Sequence, residues 1–163
     1  MLTACLLVSA PFARVDRLLL LLQARLTIAQ DVAMAKYNSG APIEDIPREQ
    51  AVLAAVEKEA STYHVKPKEA HALFSAQIEA SKAAQRRFIH VWHGLPHFST
   101  APDLARDVRP RLDALTPAIL EAYGEARPFL SHAHDRATAV SRFAPAYHAE
   151  WRIAVAPLNR HEP

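Results

Sequence analysis

Leu18 to Asn38 reads LLLLLQARLTIAQDVAMAKYN. At about 100° per residue, Leu18, Leu21, Leu22, Ala29 and Val32 all project within roughly 60° of Arg25 if the segment is one helix. Lys36 follows eleven residues after Arg25, close to three turns further along the same apolar stripe. Two cations therefore point where charge is normally excluded. An unpaired ammonium or guanidinium is costly to bury, so both need an anion, either from the protein or from a ligand.

Outward from this stretch, the chain reads as all-α. Its 163 residues are enough for one domain with a substantial core. Half are hydrophobic and only three are glycine, with Ala and Leu prevailing over the β-branched residues that strands prefer. About six helices are expected. The first, long one runs from about Arg14 to Asn38 and stops at Ser39-Gly40-Ala41-Pro42. Asp45-Ile46-Pro47 starts a second, over about 47–63, with Asp45 as cap and Pro47 in the first turn. A long central helix runs from Pro67 to about His93 and closes at Gly94-Leu95-Pro96. Phe74, Ile78, Phe88 and Trp92 line one side of it, and Ser81 and Gln85, one turn apart, interrupt that side. Beyond residue 100 the prolines divide or kink the helices, expected near 103–127, 131–142 and 145–156.

Met1 to Ala13 carries no charged residue and resembles a processing signal without its basic start. Cleavage after Ala10 or Ala13 is expected, with 14–163 as the helical domain; the alternative is that this segment simply begins helix 1. Cys5, the single cysteine, lies in it. The leucines Leu18 to Leu22 fall short of the roughly 20 apolar residues of a membrane span. A formal charge of +2 with no Lys/Arg-rich run gives no electrostatic footprint for nucleic acid, so any cationic function is local.

Inward-facing Arg25, Lys36, Arg48, Ser81 and Gln85 outnumber their acidic neighbours Asp45 and Glu49, a composition suited to a small dicarboxylate. An internal salt-bridge network with Asp45 and Glu49 accounts for the spacing equally well.

The motifs Arg25-Leu26-(x)9-Lys36, Ile43-Glu44-Asp45-Ile46-Pro47-Arg48-Glu49 and Phe74-(x)2-Gln77-Ile78-(x)2-Ser81-(x)3-Gln85 strongly resemble the all-helical chorismate mutases. Ala101-Pro102-Asp103-Leu104 and Arg109-Pro110-Arg111-Leu112-Asp113-Ala114-Leu115-Thr116 look like the exported subclass, and the likeness spans roughly Arg14 to Leu120. The resemblance implies a cofactor-free, metal-free isomerase acting on chorismate, a homodimer, and a periplasmic or secreted location. It also implies the site. Arg25 and Arg109 match carboxylate-binding arginines, and Lys36 matches the residue reaching a carboxylate and the ether oxygen. Arg48 matches a supporting arginine, Glu49 the acceptor of the ring hydroxyl, Ser81 a Ser/Thr position, and Gln85 the donor to the ether oxygen. Val52 departs from the pattern where exported relatives carry Gln, and Arg106 or Arg111 could replace Arg109.

Three other readings remain at this level. An isochorismate-pyruvate lyase resembles the same fold and pocket. A non-catalytic periplasmic binding module could keep a degenerate pocket. A metal- or haem-binding bundle is suggested by His90, His93, His97, His132 and His134, although no Cys or carboxylate completes such a group.

Overall fold

The structure, a computed structural model, describes residues 9–130, 137, 141 and 147–159. Among these residues every regular element is helical. Helix α1 spans Ser9–Thr27 and α2 spans Ala29–Ser39. The single long helix expected here is thus two, interrupted at Ile28, which itself keeps right-handed helical dihedrals (φ −64°, ψ −18°). Thr27 Oγ1 donates back to the Gln23 carbonyl (2.9 Å), the kind of bond that competes with a helix ladder. Gly40 ends α2 in the left-handed region at φ 69°, where a Cβ is disfavoured.

Helix α3 covers Ile46–Glu59 and continues as a 3-10 turn over Ala60–Tyr63. Helix α4 covers Pro67–Trp92. A π-type turn over Leu104–Val108 leads into α5, Arg109–Ala126, so the helix expected from residue 103 begins only at Arg109. A short 3-10 turn, Arg127–Phe129, follows. The last helix, α6, spans His148–Ala154 and is shorter than expected. The helix expected near 131–142 falls outside the described residues, apart from Ala137 and Ser141, as do Cys5, His132, His134 and Phe143. At the other end, α1 already includes Ser9, so both expected cleavage points lie within a helix.

The leucine run explains the packing. Leu18, Leu19 and Leu22 are fully buried while Leu20 faces outward, so α1 meets neighbours on two sides, chiefly α5 and also α4 and α6. These leucines join Leu26, Leu73, Phe74, Ile119, Leu120, Tyr123, Trp151 and Leu158 in one core. Each such side chain, fully buried, contributes about 1.5–3 kcal/mol. By length and composition the segment Ala13–Ser39 could cross a bilayer, although the leucine run alone could not; more than half of its apolar window is buried in the protein, as in a core helix. Tyr123 and Trp151 are core residues, 2% and 4% exposed.

Two features fix the remaining elements. Tyr37 Oη lies 2.6 Å from the carbonyl oxygens of both Trp92 and Leu95, and Asn38 makes paired bonds with the Phe98 backbone (2.7 and 3.0 Å). Together they pin the connector after α4 to the end of α2. A small cluster of Ile28, Val32 and Val108, flanked by Leu104 and Leu112, then seats the π turn and the start of α5 against α2.

On α5, Gly124 approaches the turn after α3 so closely that an added Cβ would stand 2.1 Å from the Tyr63 carbonyl oxygen. Alanine normally favours a helix by about 1 kcal/mol over glycine. Here the clash dominates, and Gly124→Ala is expected to destabilise the protein by about 1–3 kcal/mol in urea unfolding.

Candidate active site

A cleft opens among α1, α2, α3, α4 and the start of α5. Arg25, Lys36, Arg48, Glu49, Ser81, Gln85 and Arg109 all line it, so the fold brings together every residue expected from sequence. Val52 lines it as well, at the position where the family pattern has Gln. Arg106 and Arg111 do not: Arg106 pairs with Asp107 (3.4 Å) and Arg111 with Asp31 (2.5 Å), both on the exterior.

Arg25 comes from the last turn of α1 and is 8% exposed; Lys36 comes from α2 and is 7% exposed. Neither has a carboxylate within ion-pair distance among the described residues. Arg25 donates to the Leu112 carbonyl (3.2 Å) and lies over the Phe74 ring (5.5 Å to its centre). Lys36 donates to the Ile43 carbonyl (2.6 Å). Burial pulls the Arg25 guanidinium down to about 10, eased by Asp113 and worsened by Arg48. Burial also lowers Lys36, against the attraction of Asp45, Glu49 and Glu44.

The carboxylates of the cleft serve other cations. Asp45 caps α3 by accepting from the Arg48 amide (3.3 Å) and takes Arg109 on its second oxygen (3.1 Å). Glu49 accepts from the Asp45 amide (3.2 Å) and from Lys82 Nζ (3.0 Å). Arg48 reaches Asp113 (2.5 Å), with both side chains more than a third exposed. The internal network that the sequence allowed therefore exists, but it leaves out Arg25 and Lys36. Exposed pairs such as Arg48–Asp113 contribute little to stability.

On α4, Gln85 Nε2 donates to Ser81 Oγ (3.0 Å), and Gln85 Oε1 is buried without a partner. Turning the amide over would let the Ser81 hydroxyl donate to Oε1 and would free the NH₂ as a donor. Phe74 is fully buried beneath this face.

Lys82 was not expected. It is 8% exposed, lines the cleft, and also bonds Glu79 (2.7 Å). The signal was present, because Ile78, Ser81, Lys82 and Gln85 follow the i, i+3, i+4, i+7 spacing of one helical face. Asp113 was missed too, although it stands one turn after Arg109. Elsewhere, His90, His93 and His97 are exposed at the end of α4 and in the connector that follows. Among the described residues no three His, Cys, Asp or Glu side chains are grouped to hold a metal.

A family model described as chorismate mutase type II matches residues 13–86. A secreted chorismate mutase of Mycolicibacterium smegmatis is 31% identical over 134 residues, covering 76% of this chain and 74% of the relative. The chain belongs to the chorismate mutase family. A secreted chorismate mutase of Yersinia pestis is 32% identical over 105 residues, covering 64% of this chain and 56% of that relative. Among solved structures, a chorismate mutase from Burkholderia thailandensis superposes with a TM-score of 0.82 at 30% identity, covering 89% of this chain and 98% of that one. The secreted enzyme from Yersinia pestis gives 0.73 at 25% identity, covering 88% and 96%. The family model ends before α5; of the three nearby arginines, Arg109 is the one that lines the cleft.

Because the folded pKa of Lys36 lies below its ordinary 10.5, the unfolded chain holds that proton more tightly. The resulting penalty is fully present at neutral pH and fades as pH rises through the lowered value toward 10.5. Lys36→Met keeps the side-chain stem and removes the charge, at the cost of a donor to Ile43. In the ligand-free protein it is expected to be more stable than wild type at pH 7, an advantage that narrows as pH rises toward 10.5. Urea unfolding at several pH values measures it.

Proposed function

We propose that the protein is a chorismate mutase whose cleft holds the substrate between the two buried cations that no carboxylate among the described residues pairs with. The single observation that carries this reading is the ligation of Arg25 and Lys36 by carbonyl oxygens alone, in a cleft where every carboxylate has another partner. A dicarboxylate supplies the missing charge. Arg25 and Arg109 are assigned to its carboxylates, with Arg48 in support, and Lys36 to a carboxylate and the ether oxygen together. Glu49 accepts the ring hydroxyl. Ser81 sets the Gln85 amide, which donates to the ether oxygen.

The rearrangement of chorismate to prephenate is pericyclic: one carbon–oxygen bond breaks as one carbon–carbon bond forms, with no proton transferred. The protein's contribution is then differential binding of the transition state. Cations placed on two sides hold the dianion in the compact geometry that brings the bond-forming carbons together. Lys36 and Gln85 stabilise the negative charge that grows on the ether oxygen, where fixed donors in a water-poor site act most strongly. Export accords with relatives named as secreted enzymes. We read residues 1–13 as the remnant of its signal and 14–163 as one mutase-like domain, working as a homodimer as the family resemblance implies.

Chorismate depletion with detection of prephenate tests the assignment. Lys36→Ala is expected to lower kcat/KM by about 10²–10³ or more, which corresponds to roughly 3–4 kcal/mol of lost transition-state stabilisation. Activity within a few-fold of wild type would refute the site.

The donors also set the pH response. With a neutral Gln85, kcat is expected to stay level from about pH 6 to about pH 9. On the alkaline side kcat/KM falls with an apparent pKa below 10.5, as Lys36 of the free enzyme loses its proton. Gln85→Glu can donate only when protonated, so its kcat should fall as pH rises through the carboxyl's titration. A flat profile for that variant would count against Gln85 as the ether-oxygen donor.

A further inference from the structure

Charge bookkeeping in the cleft points to a residue that neither sequence spacing nor the assigned roles used. Among the described residues five cations line it, Arg25, Lys36, Arg48, Lys82 and Arg109, against three carboxylates, Asp45, Glu49 and Asp113, a net of two positive charges for a dianion. Glu49 is the difficult member. Accepting a substrate hydroxyl requires an oxygen at that place, yet a carboxylate repels the dianion beside it, and little water is present to screen the repulsion because the Glu49 side chain is only 19% exposed.

Lys82 resolves the conflict. Its ammonium sits 3.0 Å from Glu49 Oε2, and its side chain is 10% exposed, making this the most buried of the three ion pairs in the cleft. Its second partner, Glu79, is about half exposed and does not line the cleft. Burial disfavours the Lys82 charge, but the hydrogen bonds to Glu79 and Glu49 outweigh it, so Lys82 stays protonated across the working range. Glu49 Oε1 is tied to the Asp45 amide, so the carboxylate is clamped between the cap of α3 and the face of α4.

We propose that Lys82 is a positioning residue of the mutase site: it neutralises and orients Glu49, so that a hydroxyl acceptor can stand inside a pocket for a dianion. The inference rests on the chorismate mutase reading. Lys82 acts through Glu49, so its loss should appear in substrate binding more than in turnover, and should be relieved by removing the charge it balances.

The test uses steady-state kinetics on wild type, Lys82→Met, Lys82→Arg, Glu49→Gln and the double variant Lys82→Met/Glu49→Gln. Lys82→Met is expected to raise KM roughly tenfold or more while kcat changes only a few-fold. Lys82→Arg, which keeps the charge, should stay within a few-fold of wild type in both. The double variant should recover most of the KM lost in Lys82→Met, since the glutamine still offers an oxygen without a charge. A purely structural lysine predicts the opposite, a double variant at least as impaired as the single. A KM for Lys82→Met within twofold of wild type, or no recovery in the double variant, overturns the proposal. Should Lys82→Met fail to fold, the double variant decides: near-wild-type KM supports the role of charge, and failure to fold overturns it. A wild type that does not consume chorismate would instead overturn the functional reading. The charge inference is then decided by calorimetric titration of the same proteins with prephenate, a cyclic dicarboxylate: the same ranking of affinities supports it, and equal affinities or no binding overturn it.

Discussion

Removing the charged ends of Arg25 and Lys36 from water costs several kcal/mol each, and no carboxylate among the described residues pairs directly with either; Asp113 eases the cost for Arg25, and Asp45, Glu49 and Glu44 for Lys36, only from a distance. Such an arrangement persists only where the rest of the fold has stability to spare. The leucines of α1 supply it, because Leu18, Leu19 and Leu22 are fully buried against neighbours on two sides. The same helix that carries a destabilising guanidinium thus carries much of the core. The interruption at Ile28 falls between the two cations.

Most of the fold was legible because the signals that specify it are local. Pro47 and Asp45 set the start of α3, Pro67 that of α4, and Gly40 and Gly94 the stops after α2 and α4. The break at Ile28 was not legible, since every residue from Thr27 to Ala29 suits a helix and the interruption shows only in the hydrogen-bond pattern. Nor was the π turn before Arg109: a run such as Leu104 to Val108 has no composition that separates one helical type from another, and its fit depends on Val108 packing against Ile28 and Val32.

For the site, the positions came from motif spacing and the partnerships came only from three dimensions. Sequence placed Asp45 and Glu49 near the inward cations and could not say which cations they would hold. Geometry assigns Asp45 to Arg109, 64 residues away, and Glu49 to Lys82, 33 away. Lys82 was overlooked because a lysine next to a serine on a long helix ordinarily faces solvent, and only the company of Ile78 and Gln85 marks its face as buried. Which of three arginines enters the cleft was likewise fixed by the start of α5, a boundary that proline-rich sequence leaves open.

On the proposed assignment of the site, the acceptors of the two central cations explain how the cleft is ready before substrate arrives. A carboxylate would hold Arg25 or Lys36 in place but would cancel the charge needed for binding. The carbonyl oxygens of Leu112 and Ile43 orient the same groups through a dipole and leave the net charge intact. Each carbonyl also ties its cation to another wall of the cleft: Leu112 belongs to α5, which carries Arg109, and Ile43 to the connector that enters α3 and Arg48. Arg25 and Lys36 are thereby held in register with the walls that carry Arg109 and Arg48 without being neutralised themselves. That is the requirement of a reaction with no proton transfer, in which the placement of charge before the transition state accounts for the rate.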